Sequence, residues 1–286
     1  MKVLVIGGAN ADITATTTKP FVPKDSNPGI IRLTAGGVAR NIAHNLALLG
    51  DEVVFLTIFG GDVFGFFTAD SCRKVGINIG LCDTAPVGTR SCFFCINNCD
   101  GEMIGGVSDM ATSDGITAEW IALKLPKVGP VDAVVADTNL APEALAYLID
   151  HVEAPLYVDT VSGAKAVRIQ EAMNLSSRKK IHALKCNLME DQALAKMKGI
   201  ERQYVSLGAE GVKVIAGRKT MTFPSLPAQV VNATGSGDAM MAGIVHAGPN
   251  ASVEEAVSIG LRCAKITVES PDTVNNQLRQ CYEELS

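Results

Sequence analysis

The sequence predicts an α/β protein with a mostly parallel central sheet covered by helices on both faces, and two observations lead there. Apolar runs of strand length alternate with runs of helical period along most of the 286 residues. Apolar residues make up 47% and aromatics only 5%, so the interior must be built of Ala, Val, Leu and Ile, the mixture of helices packed on parallel strands.

Taken in order, VLVIGG (3–8) is an uninterrupted apolar run and reads as a strand buried on both faces. GVARNIAHNLALLG (37–50) repeats apolar residues at 38, 42, 46 and 49 and closes on Gly50, the pattern of a helix with its stop. Strand VVFLTIFG (53–60), helix VFGFFTADSCRKVG (63–76), strand AVVAD (133–137), helix PEALAYLIDHV (142–152) and strands PLYVD (155–159) and YVSLG (204–208) continue the alternation. Ligands are expected where such strands end and helices begin. Two segments depart from the pattern. Residues 14–34 are polar and punctuated by Pro and Gly, and 88–108 carry the hairpin signal Asn98-Cys99-Asp100-Gly101 between alternating flanks. Together they are expected to form a small β lid on a single domain spanning 1–286.

The net charge of −5 with scattered Lys and Arg gives no basic stripe, so nucleic acid is not an expected partner. No apolar run approaches a membrane span, and the opening MKVLVIGGANAD lacks a signal-like segment, so the expected compartment is the cytoplasm. Cys92, Cys95 and Cys99 invite a metal reading. In a strand, however, positions 92 and 95 face opposite ways, which favours reduced thiols over zinc. His44, His151, His182 and His246 form no spaced pair and receive no chemistry.

The segment VNATGSGDAMMAG (231–243) carries the strongest chemical signal. It lacks the lysine of a Walker A loop and the glycine spacing of a dinucleotide fold. What remains is a glycine turn opening a helix, whose backbone N–H groups over 235–238 form a nest for a phosphoryl group. Asp238 at its end is either a general base for an attacking hydroxyl or a simple helix cap.

Here the chain resembles the ribokinase-like carbohydrate kinase family. NATGSGDAMMAG is similar to the family's C-terminal signature, GGVARN (36–41) to its N-terminal glycine pair with a sugar-contacting Asn, NLME (187–190) to its NxxE element, and SLGAEGV (206–212) to the segment bordering the nucleotide phosphates. DSNPG (25–29), GGVARNIAHNLALLG and VDTVSGAKA (158–166) look most like the pseudouridine-kinase branch. The resemblance implies a three-layer sandwich and transfer of the γ-phosphoryl of ATP to the 5′-hydroxyl of pseudouridine. Catalysis would rest on Asp238 as base with Gly235, Ser236 and Gly237 as the anion nest.

For the nucleoside, Asn10 and Asp12 are placed directly after the first strand, where a carboxylate can accept from two vicinal ribose hydroxyls. Gly36 and Gly37 allow close approach, and Asn41 donates and accepts. Thr89, Ser91, Asp109 and Asn139 are candidates to read the N1–H that distinguishes pseudouridine from uridine. For the nucleotide, the candidates are Lys185, Asn187, Ser206, Gly208, Gly211, Thr234 and Asn275. Asn187 and Glu190 are implied to order Mg²⁺ through water. Lys185 and Arg40 each have a blander reading, as solvated side chains.

Two features depart from the family. Asn232 stands where many members carry Asp, beside the implied monovalent-cation (K⁺) site. The chain between Glu190 and Ser206 is also shorter than the usual two-helix crossover. A homodimer joined through the lid sheet is expected. The rival functions are another nucleoside or sugar kinase of the family and a non-catalytic nucleoside-binding regulator.

Overall fold

The computed structural model describes residues 1–280, so the last six residues of the expected domain lie outside the described residues. β1 (Lys2–Ile6) runs through the centre with Val3 and Val5 on one face and Leu4 and Ile6 on the other, all buried. Period-two burial on both faces is what an all-apolar strand does between two helical layers. β2 (Asn10–Thr17) and β3 (Gly29–Gly36) follow, then α1 (Val38–Leu48), β4 (Glu52–Leu56), the short β5 (Ile58–Phe59), α2 (Val63–Lys74) and β6 (Asp83–Thr84). β7 (Cys92–Asn97) and β8 (Met103–Asp109) make the expected hairpin, turning at Gly101 with φ 91. The remainder alternates: α3 (Ala118–Lys124), β9 (Ala133–Asp137), α4 (Pro142–His151), β10 (Leu156–Asp159), α5 (Gly163–Leu175), β11 (Ile181–Asn187), α6 (Leu188–Ala193), β12 (Ile200–Ser206), β13 (Val212–Ala216), β14 (Lys219–Phe223), α7 (Ser236–His246) and α8 (Val253–Val268).

These elements form a three-layer sandwich. The central sheet has the order β14-β13-β12-β11-β10-β9-β1-β4, parallel except for the β12-β13-β14 meander at one edge. One face is covered by α1, α2, α7 and α8, through Ile42, Leu46, Met240, Ile244 and Val257. The other is covered by α3, α4 and α5, through Ile121, Leu145, Leu148 and Ile169. α7 is buried along all of Asp238–Val245 because α8 closes over it. The approach is so close that a Cβ on Gly243 would lie 2.8 Å from the Cα of Gly260. The first turn of α7, with Asp238 in it, is thereby anchored by packing on both sides.

A second sheet, β3-β2-β7-β8, gathers most of the two departing segments. Asn10 and Asp12 belong to it. They open β2 and do not extend the strand before them, which corrects the expectation that they sit at a strand's C-terminal end. The crossover between the parallel strands β11 and β12 is made by the 6-residue α6 and a loop, close to the minimum of about a dozen residues for such a connection.

Candidate active site

The C-terminal ends of β9 and β10 bring the carboxylates of Asp137 and Asp159, and that of β11 brings Lys185, toward the first turn of α7. The loop before that helix is held by its own side chains. Asn232 accepts from the Thr234 N–H at 3.0 Å and donates to the Pro271 carbonyl at 3.0 Å, and the Ser236 hydroxyl donates to Ala233 O at 2.8 Å. Gly235 turns the chain with φ 83, and a Cβ there would fall 2.0 Å from the Thr273 carbonyl oxygen, so only glycine fits. Early N–H groups of a helix have no intrahelical acceptor, which makes this turn suitable for an anion.

Asp238 is buried, and the Asn41 amide Nδ2 donates to its Oδ2 at 2.8 Å. Burial raises its pKa to about 7, with Asp159 pushing the same way and Lys185 and Asn41 acting against them. A carboxyl that titrates near neutrality is matched to proton transfer. Asp238 is not the cap of α7, since that position is Gly235 and the Asp238 carboxylate accepts from Asn41.

Lys185 is not solvated. It is 7% exposed and its Nζ lies 3.0 Å from Asp159 Oδ2, where a Cβ on Gly237 would come within 2.5 Å of it. Burial works against its charge, but Asp159 and Asp238 outweigh burial and leave its pKa raised. A fixed ammonium thus sits beside the glycine turn. Arg40 is not solvated either, being 4% exposed within α1.

Asp12 is partly buried, its pKa raised by burial to about 6 although Asn10 and Arg40 lower it, and the Asn10 amide donates to it. Gly36 has a second reason to be glycine: a Cβ there would collide with the Asp12 carboxylate, while one on Gly37, at φ 97, would meet Gly8 O. The glycine pair makes room for Asp12 and the Gly8 turn, where the sequence suggested room for a ligand.

The base-reading candidates are dispersed. Asn139 has its amide in use: Nδ2 donates to Asp137 at 2.9 Å and Oδ1 accepts from Lys165. The Ser91 hydroxyl is turned to Met110 Sδ at 3.4 Å. Asp109 is exposed and aligns with Cys92, Ala11 and Ala35, whereas Asp12 shares its row with Thr34, Phe93 and Ser108. Thr89 lies half-buried in the loop before β7.

On the nucleotide side a cavity of about 490 Å³ opens between β12, α7 and α8. Ser206, Gly208, Gly211, Ser236 and Gly237 line its polar edge, and Leu226, Pro227, Met240, Leu261 and Val268 its apolar walls. Thr234 and Asn275 are not among its lining residues. Asn275 ties the chain together by donating to Ile266 O at 2.7 Å. Another cavity, of about 430 Å³, lies at the N-terminal ends of β10–β12, away from this chemistry, and its Lys180, His182 and Arg178 are paired with Glu201 and Glu153.

Asn187 and Glu190 form a capping box on α6. Glu190 Oε2 accepts from Asn187 N at 2.8 Å and Thr160 Oγ1 at 2.6 Å, and Oε1 from Asn187 Nδ2 at 2.7 Å. Among the described residues no three His, Cys, Asp or Glu side chains cluster to hold a metal directly. The donor set therefore fits a hydrated ion that arrives with phosphate, with Glu190 Oε1 retaining capacity to accept from its water.

Sequence reasoning missed Asp137 and Asp159. The signal was present, since an acid closes each of the apolar strands AVVAD and LYVD. Asp137 is fully buried and accepts from Gly8 N at 3.3 Å and Ala39 N at 3.0 Å, latching the loop after β1 to the start of α1. Val161, just after β10, has φ 59, a strained setting for a β-branched residue, held by its N–H on Asp159 Oδ1 at 2.9 Å. No sequence signal announces it.

The family model for pfkB family carbohydrate kinases matches residues 1–280. The chain is 32% identical to pseudouridine kinase of Escherichia coli (strain K12) over 96% of its own length and 93% of that protein. It is 26% identical to guanosine-inosine kinase of Exiguobacterium acetylicum, covering 95% of each. Its fold superposes on Arabidopsis thaliana ribokinase, solved with ribose and ATP, with a TM-score of 0.79 at 18% identity over 99% of both chains. With this fold, and with a family match that runs through all of the described residues, the chain belongs to the pfkB family of carbohydrate kinases.

Proposed function

We propose that the protein transfers the γ-phosphoryl group of ATP to the 5′-hydroxyl of pseudouridine. The observation that carries this reading is Asp238, buried at the opening of α7 with a nucleotide-sized cavity beside it and Asn41 joining it to the glycine pair. The similarity to pseudouridine kinase supports the choice of acceptor. Asp12 accepts the ribose hydroxyls, Asp238 takes the proton of the 5′-hydroxyl, and the N–H groups of 235–238 with Lys185 hold the phosphoryl oxygens. Mg²⁺, when bound, neutralises charge on the nucleotide phosphates, and Asn187 and Glu190 hold its water. Since transition states of this class are loose, positioning and charge stabilisation supply most of the acceleration. A K⁺ site beside Asn232 belongs to the same proposal.

Residues 14–34 and 88–108 act as the lid of a single domain. A homodimer through this lid is supported by the apolar cross-strand row Leu33, Ile13, Phe94 and Val107, of which Leu33, Phe94 and Val107 are 42%, 37% and 68% exposed. No helix among the described residues is long and apolar enough to cross a membrane, and we take the cytoplasm, where ATP is made and thiols stay reduced, as the compartment. The rival acceptors are other nucleosides and ribose, favoured by the likeness to guanosine-inosine kinase and to ribokinase of Bacillus subtilis. ADP release that depends on pseudouridine tests the reading and also separates it from a non-catalytic regulator.

A further inference from the structure

Arg40 lies inside α1, and every hydrogen bond it makes goes to a neutral group. Nη1 donates to Ala35 O at 2.7 Å and to Asn41 Oδ1 at 2.8 Å, and Nη2 lies 2.8 Å from His44 Nδ1. Burial, with the guanidinium alongside, lowers the His44 pKa to about 3, so the imidazole is neutral and accepts at Nδ1. The Cys72 thiol of α2 also accepts from the guanidinium, and beyond it Arg40 feels the charges of Asp12 and Asp238, the two assigned above to the sugar and the base. A buried cation is expensive, and an apolar side chain of the same length would fill the space at less cost. Its presence on Asn41, the residue that contacts Asp238, therefore calls for a role toward that carboxylate.

The hydrogen-bond polarity supplies that role. A guanidinium donates and never accepts, so only Oδ1 of Asn41 can face it. The amide Nδ2 is consequently turned to Asp238 Oδ2, 2.8 Å away. With the amide reversed, two acceptors would meet at that distance. We propose that Arg40 is a positioning residue that fixes the amide of Asn41, so that Asp238 is held through Oδ2 and presents Oδ1 to the acceptor hydroxyl. This inference rests on the reading of Asp238 as the base.

The test is a double-mutant cycle read by pH. Asp238 is faced by Asn41 from α1, Asp137 from β9, Asp159 from β10 and Lys185 from β11, and only Arg40 and Asn41 are altered. Arg40→Gln, whose amide can accept as well as donate, removes the constraint from the Arg40 side, so that Asn41 can turn whenever Asp238 is protonated and itself donates. ADP release with pseudouridine, or with the best acceptor of a nucleoside panel, is measured from pH 5.5 to 9 in Arg40→Gln, Arg40→Lys, Asn41→Ala and the double variant Arg40→Gln/Asn41→Ala. In Arg40→Gln the acid limb of kcat is expected to move up by about one pH unit, the scale for a changed hydrogen bond from Asn41 to a buried carboxyl. Arg40→Lys, which also only donates, keeps the limb near its native place. In the Asn41→Ala background the Arg40→Gln shift is markedly smaller. A shift of equal size in both backgrounds overturns the inference, as does a loss of kcat with the limb unmoved.

The unmutated protein gives a second test that needs no variant of Arg40 to fold. With ¹⁵N-labelled asparagine, the side-chain amide of Asn41, assigned through Asn41→Ala, should exchange slowly with solvent and shift as Asp238 titrates near pH 7. A rapidly exchanging amide with no titration contradicts the proposal. Turnover retained in Asp238→Asn would remove the base and this inference together. Turnover lost there with no coupling in the cycle would overturn this inference alone.

Discussion

Replacing Asp238 by Asn separates its chemical role from its structural one. The Asn41 Nδ2 that donates to Oδ2 at 2.8 Å still finds an acceptor if the new amide presents its oxygen there. The amide nitrogen then occupies the place of Oδ1, so a donor meets the substrate hydroxyl where an acceptor had been. No proton can be taken, and kcat is expected to fall by about 10²-fold or more, the usual scale for a positioned acid–base group. Folding should not suffer. The folded pKa of about 7 lies above the ordinary value of 3.8 because burial disfavours the charge. Such a carboxyl favours the folded state when protonated, and that contribution is lost as pH rises from about 4 through about 7. Above pH 7.5 the Asn variant, with no charge to bury, should therefore melt at or above the native temperature. Coupled ADP detection at saturating ATP and nucleoside, with thermal melts at pH 6 and 8, reads both effects. Turnover within a few-fold of native refutes the base assignment, and a variant much less stable at pH 8 than the native protein refutes the electrostatic account.

The native kcat profile should carry an acid limb near pH 7, and Asp159→Asn, which removes a neighbouring negative charge, should move that limb downward; an upward move would reverse the sign argued here. Asp12→Ala should raise KM for the nucleoside far more than for ATP, since it removes a ribose contact and no phosphate contact, and equal effects on both substrates would contradict its placement. Gly235→Ala places a methyl against the Thr273 carbonyl at a φ of 83, which should lower stability by roughly 1–3 kcal/mol or more, read as a drop in melting temperature. Glu190→Gln sets an amide N–H against the Asn187 donors that both carboxylate oxygens now accept from, so the melting temperature should fall, and the weaker hold on water should raise the Mg²⁺ concentration for half-maximal rate; an unchanged Mg²⁺ requirement would contradict the role given to Glu190.

Strands and helices were legible where one period dominates. VLVIGG and AVVAD are apolar throughout because both faces are covered, and α1 shows its 3.6-residue stripe at Ile42, Leu46 and Leu49. The loop before α7 was legible because Gly235, at φ 83, permits a turn that other residues do not, while Gly237 leaves room for Lys185. Asp12 was misplaced because a short reversal at Gly7-Gly8 starts a new sheet, and nothing in VLVIGGANAD separates a strand end from a strand start. Lys185 and Arg40 looked like solvated cations because burial of a long charged side chain depends on distant partners. For Lys185 that partner is Asp159 on the neighbouring strand, and for Arg40 it is the Cys72 thiol of α2 beside the local acceptors Ala35 O, Asn41 Oδ1 and His44 Nδ1. The base-reading group remained illegible because it requires the approach of lid and core, which no local pattern encodes.

The most direct measurement of the central claim is kcat/KM for pseudouridine, uridine, N1-methylpseudouridine and ribose at matched concentrations with ATP and Mg²⁺. If a buried acceptor reads N1–H, uridine leaves it unpaired at a cost of roughly 1–3 kcal/mol. Uridine should then fall about tenfold to a hundredfold or more below pseudouridine, with the N1-methyl compound also worse and ribose poor. Uridine or ribose phosphorylated as efficiently as pseudouridine would leave the kinase chemistry standing and contradict the proposed substrate.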